Sequence, residues 1–218
     1  MNLINTLIAG VSIGAVYSLI AFALILVWRS TRVVNFAQAG QAAFSTYVGL
    51  SIEKAFGNYW LALLVAIIAG VLVGAFVEVV IVRFIVKRAT SAATATVAPV
   101  IAMLGLLGIF QGLMGLIWGG DYQPYPTAFS RDGISIAGTQ IPFSPSDLFV
   151  LLTVVVAMSI AAIIFQRTSL GLSMRAAAFA PEVTRLSGIR VSRIRTLGWA
   201  FAGGAGRSEE HTSELQSH

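Results

Sequence analysis

The chain has 218 residues, of which 57% are hydrophobic and only 11% charged, and its mean hydropathy is +0.85. Soluble domains carry about 25% charged residues, so this chain cannot cover a globular surface with polar groups, and lipid is its natural solvent. There is no cysteine, and the two histidines, His211 and His218, lie in a polar tail; disulfides, thiolate chemistry, zinc sites and histidine bases drop out together. The net charge of +5 does not point to nucleic acid, because the positive residues sit at the ends of apolar runs, where topology signals sit.

In chain order, the first apolar run covers about Leu3 to Trp28 and ends at Arg29 and Arg32. It has no basic stretch before it and is too long for a signal peptide. The second run, about Val33 to Ile52, is interrupted by Asn35, Gln38, Gly40, Gln41, Ser45 and Thr46. A third follows a short polar turn, from about Trp60 to Val86, and closes with Arg83, Lys87 and Arg88. The fourth extends from about Val97 to Trp118, before a loop rich in Gly, Pro and Asp that is too polar for lipid. The fifth, about Leu148 to Phe165, ends at Arg167; a basic stretch then runs to Arg195, and a sixth run opens at about Leu197.

If every run crosses, eleven Lys and Arg residues up to Arg195 fall on one side and only Lys54 and Arg131 on the other. Cytoplasmic loops carry the Lys/Arg excess, so the amino terminus is expected outside. The predicted fold is an all-α polytopic transmembrane bundle with about five complete crossings and the start of a sixth. Residues 207–218, RSEEHTSELQSH, are expected to be foreign, since the string resembles a translated sequencing adapter. A crossing also cannot stop after about ten residues when the hydrocarbon core is ~30 Å thick. Residues 1–206 are then a permease domain that lacks later helices.

Two stretches carry a family resemblance. Gly10, Gly14, Tyr17, Leu19, Asn35, Phe36, Ala37 and Gly40 resemble the opening of the permeases of branched-chain amino acid ABC importers, whose relatives also carry urea and short amides. Gln38 stands where that family usually has histidine, and Ala39 is one residue more than its pattern has before the glycine. Gly171, Arg175, Ala176, Ala178, Pro181, Gly188 and Ile189 are similar, in register, to the family's cytoplasmic signature. Phe179 and Ala180 replace its acidic pair, and Thr184 replaces an alanine.

The resemblance implies a permease subunit in the inner membrane, importing hydrophobic amino acids, with urea or short amides as the alternative cargo. ATP and Mg belong to separate cytoplasmic ABC ATPase subunits, because this chain has no Gly-x-x-x-x-Gly-Lys-Ser/Thr loop. The other implied partners are a second permease subunit, an extracytoplasmic substrate-binding protein and membrane lipid; neither nucleic acid nor a cofactor in this chain is implied. Within that scheme Asn35, Gln38, Gln41, Ser45 and Thr46 either replace the water that a substrate sheds or only hold helices together. Gly40 allows close backbone approach or a helix break. Tyr17 either lines the path or packs.

The signature stretch is expected to couple the permease to its ATPase. Ser173 to Ala180 reads as a slim helix, Pro181 as the first turn of the next and Gly188 as its stop. Arg175 would pair with an acid on the ATPase. Gly10 and Gly14 predict close helix packing, and Glu78 an interfacial salt bridge with Arg83 or Lys87 rather than a proton or substrate role. A stand-alone secondary transporter or channel is the competing class; it would need a deep carboxylate, and Glu78 is the one acid inside an apolar run. An intramembrane enzyme would lack histidine and any deep aspartate, so no enzymatic activity is expected.

Overall fold

A computed structural model describes residues 3–88, 91–121, 123–130, 134–136, 139–141 and 144–205. The tail expected to be foreign, 207–218, lies outside these. Among the described residues the architecture is helical, with one small hairpin (β1, Ile134–Ile136, and β2, Thr139–Ile141) in the loop before α6. The helices are α1 (Leu3–Thr31), α2 (Gln38–Phe56), α3 (Tyr59–Phe76), α4 (Arg83–Arg88), α5 (Ala92–Trp118), α6 (Pro145–Arg167), α7 (Ser169–Phe179), α8 (Pro181–Leu186) and α9 (Val191–Ala205). A π-helical turn, Val77–Val82, joins α3 to α4 without a break.

Among the described residues, four segments are long and apolar enough to cross a membrane: Ile13–Thr31, Tyr59–Arg88, Val97–Trp118 and Pro145–Arg167. They match the first, third, fourth and fifth predicted runs, and the all-α polytopic bundle is the observed fold. Helix α2 is less apolar. Its 19 residues nevertheless span about 28 Å, and it packs against both α3 and α5. The apolar side chains of α1, α3, α5 and α6 that face outward, such as Leu72, Ile101, Leu116 and Leu152, meet lipid at no hydrophobic cost.

One seam holds the bundle together. Ala62, Ala66, Gly70 and Gly74 recur every four residues on α3 and are all buried. The outer pair meets α2, where a Cβ added to Gly49 would lie 2.8 Å from the Ala66 side chain. The inner pair meets α9: a Cβ on Gly70 would strike the Gly203 carbonyl oxygen, and one on Gly74 the Trp199 carbonyl oxygen. Helices approach this closely in lipid only across small residues, because van der Waals contact rather than water release drives them together.

Helix α9 begins at Val191, six residues ahead of the predicted apolar run. Val191 and Ile194 are buried against Met174 and Ala177 of α7, while Arg190 and Arg193 point outward. What reads as a basic loop is therefore the first turn of an amphipathic helix.

The two ends of the bundle differ. Trp118, at the end of α5, meets the rings of Phe44 and Tyr47 midway along α2, and Trp60 at the start of α3 meets Phe149 at 5.9 Å. Tyr and Trp favour the membrane–water interface, and this is the end opposite the arginines.

Candidate functional site

The chain is interrupted between α1 and α2. Arg32 takes a positive φ of 59°, and the backbone runs non-helically to Ala37 before α2 begins. Buried non-helical backbone needs polar partners inside the protein. Asn35 supplies them: its Oδ1 accepts from the Ala37 N–H at 3.1 Å, and its Nδ2 donates to Gln38 Oε1 at 2.8 Å and to Gln41 Oε1 at 3.4 Å. Gln38 Nε2 in turn donates to the Ala202 carbonyl of α9 at 3.0 Å. Asn35, Gln38 and Gln41 are between 1% and 3% exposed, so these amides form a closed knot between the α1–α2 linker, α2 and α9.

The other predicted path residues divide. Ser45 and Thr46 are buried but donate to carbonyls of their own helix, those of Gln41 and Ala42. Gly40 marks a close approach and not a break, since a Cβ there would lie 2.8 Å from Leu107 of α5. Tyr17 is 53% exposed on α1 and does not share the buried cluster. The close packing predicted for Gly10 and Gly14 is absent: among the described residues nothing lies within 4 Å of a Cβ built on either.

About 9 Å nearer the basic end of α9, six residues of helical rise before Ala202, sits a second polar group. Glu78 is 1% exposed in the π-helical turn. Its Oε2 accepts from Arg83 Nη2 at 2.8 Å and from Thr196 Oγ1 at 2.7 Å. The expected salt bridge is thus made with Arg83, and no such bond runs to Lys87. A π turn adds a residue to the helical repeat and rotates the helix beyond it; here the Arg83 N–H bonds back five residues to the Glu78 carbonyl. Sequence pattern gave no hint of Thr196, whose hydroxyl fastens the carboxylate to α9.

The signature stretch forms an elbow under the bundle. Gly171 is buried where α6 turns into α7, and a Cβ there would collide with the Phe165 carbonyl. Arg175 Nη1 donates to that same carbonyl oxygen, so its guanidinium closes the elbow from within the chain. The Ala176 carbonyl accepts the Ala180 N–H at the end of α7. Pro181 opens α8, and Gly188 follows it at φ +79°, a conformation that favours glycine. Ile189 packs against the cluster of Met174, Ala177, Val191 and Ile194. Arg32, at the end of α1, donates to the Ala178 carbonyl at 3.1 Å and ties the elbow to the interruption that holds the amide knot. Phe179 and Leu186 are 90% and 88% exposed.

A buried polar knot at the junction of two long helices thus lies beside a short helical elbow on the basic side. The family model described as branched-chain amino acid transport system / permease component matches residues 6–206, and the chain belongs to that family. It is an integral membrane protein of a family whose members transport rather than catalyse. The probable branched-chain amino acid transport permease protein LivH of Methanocaldococcus jannaschii is 28% identical over 190 residues, which cover 85% of this chain and 58% of that protein. The chain therefore spans little more than half the length of that relative. No solved structure matches it.

Proposed function

We infer that the chain is the permease subunit of an ATP-driven importer in the inner (plasma) membrane, carrying branched-chain and other hydrophobic amino acids inward. ATP and Mg are bound by separate cytosolic ATPase subunits; a second permease subunit completes the path, and an extracytoplasmic binding protein delivers the cargo. The observation that carries this reading is the Arg32–Ala178 hydrogen bond, because it gives a push on the elbow a direct route to the interrupted segment. Asn35, Gln38, Gly40, Gln41 and Ser45 form the wall that opens. Their amides are fully paired in this arrangement, so a passing substrate must exchange with bonds the chain now makes to itself. Gly171, Arg175, Ala176, Ala178, Pro181, Gly188 and Ile189 shape the handle. The exposed Phe179 and Leu186 are its grip, apolar side chains suited to a groove on a partner.

The test is uptake into proteoliposomes that hold the complete permease pair, its ATPase and its binding protein. Leucine should enter only with ATP, and more readily than urea. Phe179→Asp and Gly188→Val should leave ATP hydrolysis running while uptake falls at least tenfold. Uptake that ignores ATP would replace this reading with a secondary transporter, and urea entering in preference to leucine would reassign the cargo.

A further inference from the structure

Helix α9 presents a face that the importer reading does not use. Arg193, Leu197, Phe201 and Gly204 recur every three or four residues and so share one side of the helix, and Arg190 immediately precedes its first turn. At the basic end, Ser169, Ser173, Arg190 and Arg193 border a groove of about 350 Å³ floored by Leu170 and Ile194. Both arginines are exposed, and neither guanidinium has a hydrogen-bond or ion-pair partner among the described residues. Deeper in the bundle, Phe201 and Gly204 wall a second cavity of about 300 Å³ with Leu26, Val71, Ile160 and Phe165, and all of its lining residues are apolar.

The inner cavity extends along α1 from Leu19 to Leu26, about 11 Å of helical rise, and its wholly apolar lining suits a hydrocarbon chain. From Arg193 to Gly204 the helix rises about 16 Å, close to half of the ~30 Å core and hence one leaflet.

The geometry points to a site for one anionic phospholipid of the inner leaflet on this face of α9. Its phosphate sits between Arg190 and Arg193 with the Ser169 and Ser173 hydroxyls beside it, and one acyl chain passes Leu197 into the cavity between α1, α3, α6 and α9. Arginine's fork matches phosphate oxygens, and basic recesses between helices on the cytosolic side suit anionic headgroups. A lipid held there would brace α6 and α7 against α9, on the opposite side from the amide knot.

Native mass spectrometry of the full chain in mild detergent tests this, with phosphatidylglycerol, phosphatidylcholine and glycerol phosphate as probes. One phosphatidylglycerol should be retained per chain, and each arginine lost in R190Q/R193Q should weaken retention about fivefold. R190K/R193K should keep most of the binding, and both variants change exposed side chains, so their circular dichroism should match that of the unaltered chain. Ala161→Phe fills the cavity and should release the lipid. Equal retention of phosphatidylcholine, or no loss in R190Q/R193Q, would reduce the site to ordinary boundary lipid and overturn the proposal. Glycerol phosphate binding as well as the lipid, with no effect of Ala161→Phe, would assign the groove to free phosphate. A cross-link from Phe201→Cys to a second subunit, with lipid excluded, would assign the cavity to a protein contact.

Discussion

Two glycine pairs with the same four-residue spacing meet different fates in this molecule. Gly70 and Gly74 on α3 lie against Gly203 and the Trp199 backbone of α9, with no room for a Cβ at either position. Gly10 and Gly14 on α1 have nothing among the described residues within 4 Å of where a Cβ would go. The spacing licenses close approach but does not summon a partner. A small-residue stripe gains dispersion only if another backbone arrives with a matching gap.

That contrast can be broken by substitution. The largest effect is expected at the seam: Gly74→Leu or Gly203→Val drives a side chain into a backbone carbonyl and should lower the stability of the purified chain by about 3 kcal/mol or more, read as a fall in Tm in detergent. Next comes Glu78→Ala, which leaves Arg83 and Thr196 without their shared acceptor and should cost about 2 kcal/mol. Glu78→Gln, which keeps an acceptor oxygen, should recover part of that in the same melt. Asn35→Ala unpairs the Ala37 N–H and the two glutamines and should cost about 1–2 kcal/mol, seen most clearly as faster amide exchange at residues 33–37. Smallest is Gly14→Val, expected within about 0.5 kcal/mol. A loss there as large as at Gly74 would show that the α1 face is packed after all, and the comparison would fail.

Much of this was legible in the residues. Long apolar runs, the one-sided arginines, Pro181 and Gly188 are local signals, each acting through solvation or backbone torsion of nearby residues. They predicted the helical class, four of the observed spans, the basic side and the punctuation of α7 and α8. The amide-rich second run also announced a polar feature in the bundle. It was ambiguous between a path and an adhesive, because an amide has the same donors and acceptors in either role.

Other features were not legible, and for one reason. Whether Gly10–Gly14 or Gly70–Gly74 forms the seam, that Glu78 is held by Thr196 as well as Arg83, that Gln38 reaches the Ala202 carbonyl, and that the start of α9 is amphipathic all depend on segments far apart in the chain meeting in space. Composition and period fix how each segment responds to water and lipid. Only the packed bundle fixes which buried donor finds which acceptor, since in a low-dielectric interior every such group must be matched by whichever neighbour the tertiary fold delivers.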